Sequence, residues 1–124
     1  MILVDSSIWV AHLRAEDQHL TQLISQDGVV HHAFVTGEVG MGSFSSPKAR
    51  FQTIAFLRGL EPAVIVGEIA FHEYVSAQRL FGTGAGFVDC HLLASVGTSP
   101  NVSLWTADKR LAAQAKRIGV PLYR

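Results

Sequence analysis

The chain has a single cysteine, Cys90, among 124 residues, so an intramolecular disulfide is excluded and a reducing compartment is expected. It has no apolar run approaching the ~20 residues that a membrane helix requires. Its opening, Met1-Ile-Leu-Val-Asp5, carries neither a basic stretch nor a leader-like apolar segment. A soluble cytoplasmic protein is the expectation. Net charge is missing as well, because 10 basic and 10 acidic side chains cancel. A polyanion partner therefore cannot be read from global charge, although segregated charges or a bound cation can still create one. Internal repeats, linkers and low-complexity segments are absent. What is present is an ordinary globular balance, 48% hydrophobic and 16% charged, which excludes a disordered chain. The length suits one domain, residues 1–124, able to bury its own core.

Strand and helix signals alternate along the chain. Ile2-Leu3-Val4 is a short apolar run ending at Asp5, after which Ser6 or Ser7 can cap a helix carrying Ile8, Trp9 and Leu13. Asp17 reads as the next N-cap, with Leu20, Leu23 and Ile24 at helical spacing and Gly28 as the stop. Val29-Val30-His31 reads as a second strand. A short helix from about Thr36 contains Glu38 but is weakened by Gly37, Gly40 and Gly42. Ser46-Pro47 opens a helix expected to bury Phe51, Ile54, Ala55 and Leu57. Ala63–Val66 is a third strand candidate, and residues 67–79 look helical. A glycine loop, 81–86, leads into a helix over about 86–96, where Val88, Leu92 and Val96 recur at every fourth position. Val102–Trp105 is the fourth strand. The last helix, about 107–118, stops at Gly119, and Val120–Tyr123 can add an edge strand. Strands that read as continuous apolar runs between helices indicate an α/β fold: a central parallel sheet of four to five short strands, with helices on both faces.

Four acids fall where such sheets gather chemistry, beyond the carboxyl ends of strands. Asp5 ends the first strand, Glu38 follows the second, Asp108 follows the fourth behind Thr106, and Asp89 lies in the first turn of the helix after the glycine loop. Two unit charges ~4 Å apart repel by about 4 kcal/mol at an effective dielectric of 20, so convergence of these carboxylates demands raised pKa values or a neutralising cation. Oxygen-only ligands suit Mg²⁺ or Mn²⁺, and such a site hydrolyses phosphodiesters without a side-chain nucleophile. Each acid also has a plainer reading as a helix cap or dipole partner. Spacing alone leaves both open.

The surrounding residues resemble the VapC-type toxins of the PIN-domain family. Met1-Ile-Leu-Val-Asp5-Ser-Ser-Ile-Trp-Val-Ala-His-Leu13 is similar to the family's opening. His32-Ala-Phe-Val-Thr-Gly-Glu38-Val-Gly-Met-Gly42 is similar to the segment that supplies its glutamate. Gly84-Ala-Gly-Phe-Val-Asp89-Cys-His-Leu-Leu-Ala-Ser95 and Leu104-Trp-Thr106-Ala-Asp108-Lys-Arg-Leu111 resemble its third and fourth acidic motifs. The blocks occur in order and span essentially the whole chain. The resemblance implies a Mg²⁺- or Mn²⁺-dependent endoribonuclease acting as the toxin of a type II toxin–antitoxin pair. Asp5 and Asp89 would be its principal metal ligands, and Glu38 and Asp108 would complete the acidic cluster. Ser7 and Thr106 would hydrogen-bond the carboxylates or a water. A homodimer held inactive by a cognate antitoxin is also implied, the antitoxin's C-terminal segment entering the active-site groove.

Other features point elsewhere. The Gly82, Gly84, Gly86 loop lacks the Lys-Ser/Thr of a phosphate cradle and reads as a hinge. His31 and His32 face opposite ways on a strand, and His91 and Cys90 read as packing residues. Lys109 and Lys116, like Arg110 and Arg117, are seven apart on one helix face. They form a ribbon that could meet RNA phosphates or simply complement the helix C-terminus. A receiver-type signalling domain would need an acidic pair after the first strand and an aspartate ending the third, and neither is present. A catalytically idle PIN fold used for binding is the remaining alternative, though all four acids are retained.

Overall fold

The computed structural model describes every residue from Met1 to Arg124. Its sheet has four strands: β1 (Ile2–Val4), β2 (Val29–His31), β3 (Glu61–Pro62) and β4 (Ser103–Trp105). All neighbours pair in parallel, in the order β3-β2-β1-β4. Ile2, Leu3 and Val4 are all buried. Because consecutive residues point to opposite faces, both faces of the sheet are covered at this strand. Seven helices supply that cover: α1 (Ser6–Arg14), α2 (Gln18–Ser25), α3 (Ala33–Gly40), α4 (Pro47–Arg58), α5 (Glu68–Ala77), α6 (Phe87–Gly97) and α7 (Lys109–Ile118). The most deeply packed is α6, with every residue from Cys90 to Val96 buried. None of the helices is long and apolar enough to cross a membrane.

The strand order reverses at β1. The chain runs outward on one side through β2 and β3, then returns to place β4 on the other side of β1. Such a reversal opens a crevice beyond the carboxyl ends of the two strands involved. The β1–β4 ladder continues one residue past β1, because Asp5 N donates to Trp105 O at 2.9 Å. Asp5 is therefore fixed at the mouth of the crevice.

Several local expectations need correction. Asp5 itself caps α1, accepting from Ser6 N, rather than Ser6 or Ser7. The left-handed residue after α2 is Asp27 at φ 54°, not Gly28. Helix α3 starts three residues before Thr36, because His32 Nδ1 accepts from Phe34 N and caps it. Gly40 does not weaken that helix so much as let it pack: a Cβ there would meet Ile54 Cδ1 at 3.0 Å. On α4, Leu57 is buried, but Phe51 is 72% exposed, Ala55 is exposed and Ile54 is only half-buried. The inward side runs through Ala49, Thr53, Ile54 and Leu57.

The third strand is Glu61–Pro62, two residues earlier than the apolar run Ala63–Val66. Strand β2 ends at His31, paired with Pro62, and the chain then enters α3, so residues 64–66 find no ladder partner. Pro62 sits on the edge, where a missing N–H costs nothing. The C-terminal segment adds a single bridge, Leu104 to Leu122, not a fifth strand. Gly119 stops α7 in the left-handed conformation, at φ 77°.

Candidate active site

Asp5 is 4% exposed, and its carboxylate is nearly saturated. Oδ1 accepts from Ser6 N at 2.7 Å and, weakly, from Ser6 Oγ at 3.4 Å. Oδ2 accepts from Ser7 Oγ at 2.8 Å and from Thr106 Oγ1 at 2.7 Å. Both hydroxyls are themselves oriented by the β4–α7 connection. Ser7 Oγ accepts from Ala107 N at 3.1 Å, and Thr106 Oγ1 accepts from Asp108 N at 3.0 Å. This lattice ties the end of β1 to the end of β4. The long Ser6 contact leaves Oδ1 as the oxygen with spare acceptor capacity.

Asp108 is the N-cap of α7, one position before its first turn. Its Oδ1 accepts from Arg110 N at 2.8 Å and Leu111 N at 3.2 Å, which leaves Oδ2 uncommitted. Asp89 lies in the first turn of α6. Its carboxyl is pushed up to about 6, by burial first and then by the charges of Asp5, Asp108 and Glu38. Glu38, on α3, is also held above the usual carboxylate range. Partial burial is the main cause and Asp5 adds to it, while the Ser6 hydroxyl pulls the other way. The four acids thus feel one another's charge across a single cleft. Ser6 is the residue that sequence reasoning left out. It touches Asp5 and favours the charged form of Glu38, and only its place in the Ser6-Ser7 pair marked it in advance.

No three His, Cys, Asp or Glu side chains are gathered into a ready-made metal cage. That arrangement does not conflict with Mg²⁺, which keeps several waters and commonly takes one or two protein carboxylates together with substrate phosphate. The donor set is oxygen-only, and Asp89, Glu38 and Asp108 Oδ2 keep free lone pairs. The Asp89 carboxyl is raised by burial first and then by the negative charge of the three neighbouring acids. These residues fit a hard divalent cation.

A groove of about 660 Å³ runs from Asp89 and Asp108 along α7 and the 83–86 loop, with Arg110 and Gln114 in its wall. Of the four basic residues on α7, Arg110 alone lines this groove. Arg117 is turned aside, with Nε donating to Gln114 Oε1 at 2.8 Å and Nη2 to Arg79 O at 3.4 Å. Lys109 and Lys116 are exposed outside the groove. Residues 83–86 form its other wall, with Gly84 at φ 84° and Gly82, just before them, at φ 72°, a conformation that favours glycine at both. Glu38 borders a second, apolar shelf of about 450 Å³ that includes Phe34, Met41 and Phe87. A separate crevice of about 400 Å³ between α1 and α4 holds Trp9, Leu13 and Phe56 and no acid, so it is not part of this chemistry.

The histidines do not join the acids. His32 is fully buried, and His91 stacks on Phe71 with centroids 3.7 Å apart. Cys90 is buried as a free thiol.

No model of a known protein family matches the chain. Two curated relatives, both named Ribonuclease VapC32, come from Mycobacterium tuberculosis strains CDC 1551 / Oshkosh and ATCC 25618 / H37Rv. Each is 39% identical to this chain over 122 residues, covering 98% of this chain and 96% of the relative.

Proposed function

Because the chain belongs to the VapC family of PIN-domain ribonucleases, we propose that it is a metal-dependent endoribonuclease, working through Asp5, Glu38, Asp89 and Asp108 as the toxin of a toxin–antitoxin pair. The observation that carries the reading is Asp89: it shares the wall of one groove with Asp108 and Arg110, and its carboxyl is raised to about 6 by burial and by three neighbouring acids. A fold does not keep four like charges together for stability. Their cost is offset when a cation enters.

Asp89 and Asp5 Oδ1 are the leading candidates to hold Mg²⁺ or Mn²⁺, with Glu38 and Asp108 Oδ2 completing the cluster directly or through water. A divalent ion bound there supplies an activated water and stabilises charge on phosphate oxygens. The chain's own residues do the rest. Ser7 and Thr106 hold Asp5 in one orientation, so its carboxylate is preorganised rather than mobile. Glu38, beside the apolar shelf and with its raised affinity for a proton, is suited to accept one from an attacking water. Arg110 faces the groove beside Asp89 and Asp108 and meets a phosphate of the bound strand, with Lys109, Lys116 and Arg117 adding longer-range attraction.

Partners follow the same reading. The working form is a homodimer in the cytoplasm, one PIN domain per chain over residues 1–124, and it is silenced by a cognate antitoxin. Support for a protein partner comes from apolar surface that the fold leaves uncovered: Leu13 and Phe56, 50% and 49% exposed, in the wall of the α1–α4 crevice. The test is cleavage of total cellular RNA by the purified protein with Mg²⁺ or Mn²⁺ and with excess EDTA. Cutting in metal that EDTA abolishes is expected. Intact RNA in every metal, with folded and antitoxin-free protein, would remove the nuclease reading and leave a binding module.

A further inference from the structure

A polar groove holds Asp89 and Asp108, whereas Glu38 borders an almost wholly apolar shelf. Phe87 is 63% exposed and Met41 84% exposed, although each stands within three residues of a site acid, Asp89 and Glu38 respectively. Phe87 is nevertheless fixed in place. Its ring meets Phe71 edge-on at 5.3 Å and His91 at 4.7 Å, and lies within 27° of parallel to Phe34 at 6.2 Å. An anchored aromatic ring with an open face is preorganised for a flat ligand. Met41 beside it adds an adaptable apolar edge. Isolated exposed apolar residues need no explanation, but these converge on one cavity that also contains Glu38.

We propose that the Phe34–Met41–Phe87 shelf is a nucleobase subsite, in which one base of a single-stranded RNA, flanking the cleaved linkage, stacks on Phe87. The proposal rests on the RNA-cutting reading of the same cleft. The occupant follows from continuity. A strand whose phosphate lies at the carboxylates carries a base about one nucleotide away, and the shelf begins at Glu38. Only an unstacked base can reach such a surface, so the substrate is single-stranded at that position. The shelf offers the base a ring face and almost no polar lining apart from Glu38, so recognition there is by stacking and tolerates different bases.

The test is binding of a fluorescein-labelled, mixed-sequence RNA hexamer, read by anisotropy in Ca²⁺ with the strand verified intact. A set of hexamers with a single abasic residue at each position in turn is compared on wild type, Phe87→Leu and Met41→Ser. Wild type is expected to lose about tenfold in affinity at one abasic position. Phe87→Leu should bind the parent strand about tenfold more weakly and show no further loss at that position. Met41→Ser, at a site too exposed to disturb folding, should narrow the same difference. Wild-type affinity indifferent to every abasic position, or a Phe87→Leu variant with the wild-type pattern, would overturn the subsite. It would then fall to a protein partner. Cleavage of the same hexamers in Mn²⁺ is scored separately: loss of affinity at one abasic position without cutting keeps the subsite and removes the nuclease, and cutting without that loss does the reverse.

Discussion

Asp5 and Asp89 carry the same side chain into the same cleft, and the protein treats them in opposite ways. Asp5, at the foot of β1, accepts hydrogen bonds from Ser6 N, Ser7 Oγ and Thr106 Oγ1, and it caps α1. Asp89, at the head of α6, is perturbed only by burial and by the other acids, with no hydrogen bond to relieve it. The first is built into the fold, since removing it would unpick the joint between β1, α1 and the β4–α7 turn. The second is tolerated by the fold at a cost. Uncompensated charge of that kind marks a place where stability is given up for function.

The contrast is broken most forcefully by Asp89→Asn. Cleavage should fall by about a hundredfold or more, while the metal-free protein becomes more stable at pH 7 by about 1 kcal/mol after solvent screening. Urea unfolding in EDTA beside an RNA-cleavage assay measures both, and a variant less stable than wild type would erase the distinction. Thr106→Val tests the other side. It strips a donor from buried Asp5 and an acceptor from the Asp108 N–H, and should lower stability by about 1–3 kcal/mol by the same unfolding measurement.

The pH dependence sharpens the comparison further. The Asp89 carboxyl, at about 6 against an ordinary 3.8, holds its proton more tightly folded than unfolded. Its contribution to stability is therefore complete below about pH 4 and is lost as pH rises through 6. His32 has the opposite sign, pushed down to about 4 by burial and then by His91 and His31. Its contribution is present above about pH 6.5 and is lost as pH falls towards 4. In wild type the two slopes oppose each other between these limits. In Asp89→Asn the larger opposing slope is gone, so urea midpoints in EDTA should climb more steeply from pH 4 to 6.5. The smallest effect concerns the groove wall. Arg110→Gln should reduce the salt dependence of RNA binding by about one unit of slope. Arg117→Gln should change it less, because that guanidinium is already engaged by Gln114 and the Arg79 carbonyl.

The sequence made most of this arrangement visible, and the gaps have physical causes. Caps and stops that act through local geometry were legible: Asp17, Ser46-Pro47 and Gly119 all lie where their chemistry predicts. The order of the four acids was legible too, because each follows a strand or opens a helix. The third strand was not, since hydrophobicity marked Ala63–Val66 while the short reach of β2 decided the pairing at Glu61–Pro62. Nor was the buried face of α4, where Phe51 points outward and Gly40 brings Ile54 close to α3. His32 as the cap of α3 was hidden because imidazole nitrogen rarely fills that role. The unequal treatment of Asp5 and Asp89 depends on donors 101 residues distant, such as Thr106 on Asp5, which no local pattern reveals.

The central claim is that the unanswered charge at Asp89 is there to hold a cation. It is tested most directly by melting wild type and Asp89→Asn at pH 7, in EDTA and in Mn²⁺. Mn²⁺ should raise the wild-type Tm by about 5 °C and leave Asp89→Asn, already the more stable in EDTA, nearly unmoved. A wild type that ignores Mn²⁺, or a variant that responds to it as strongly, would contradict the account.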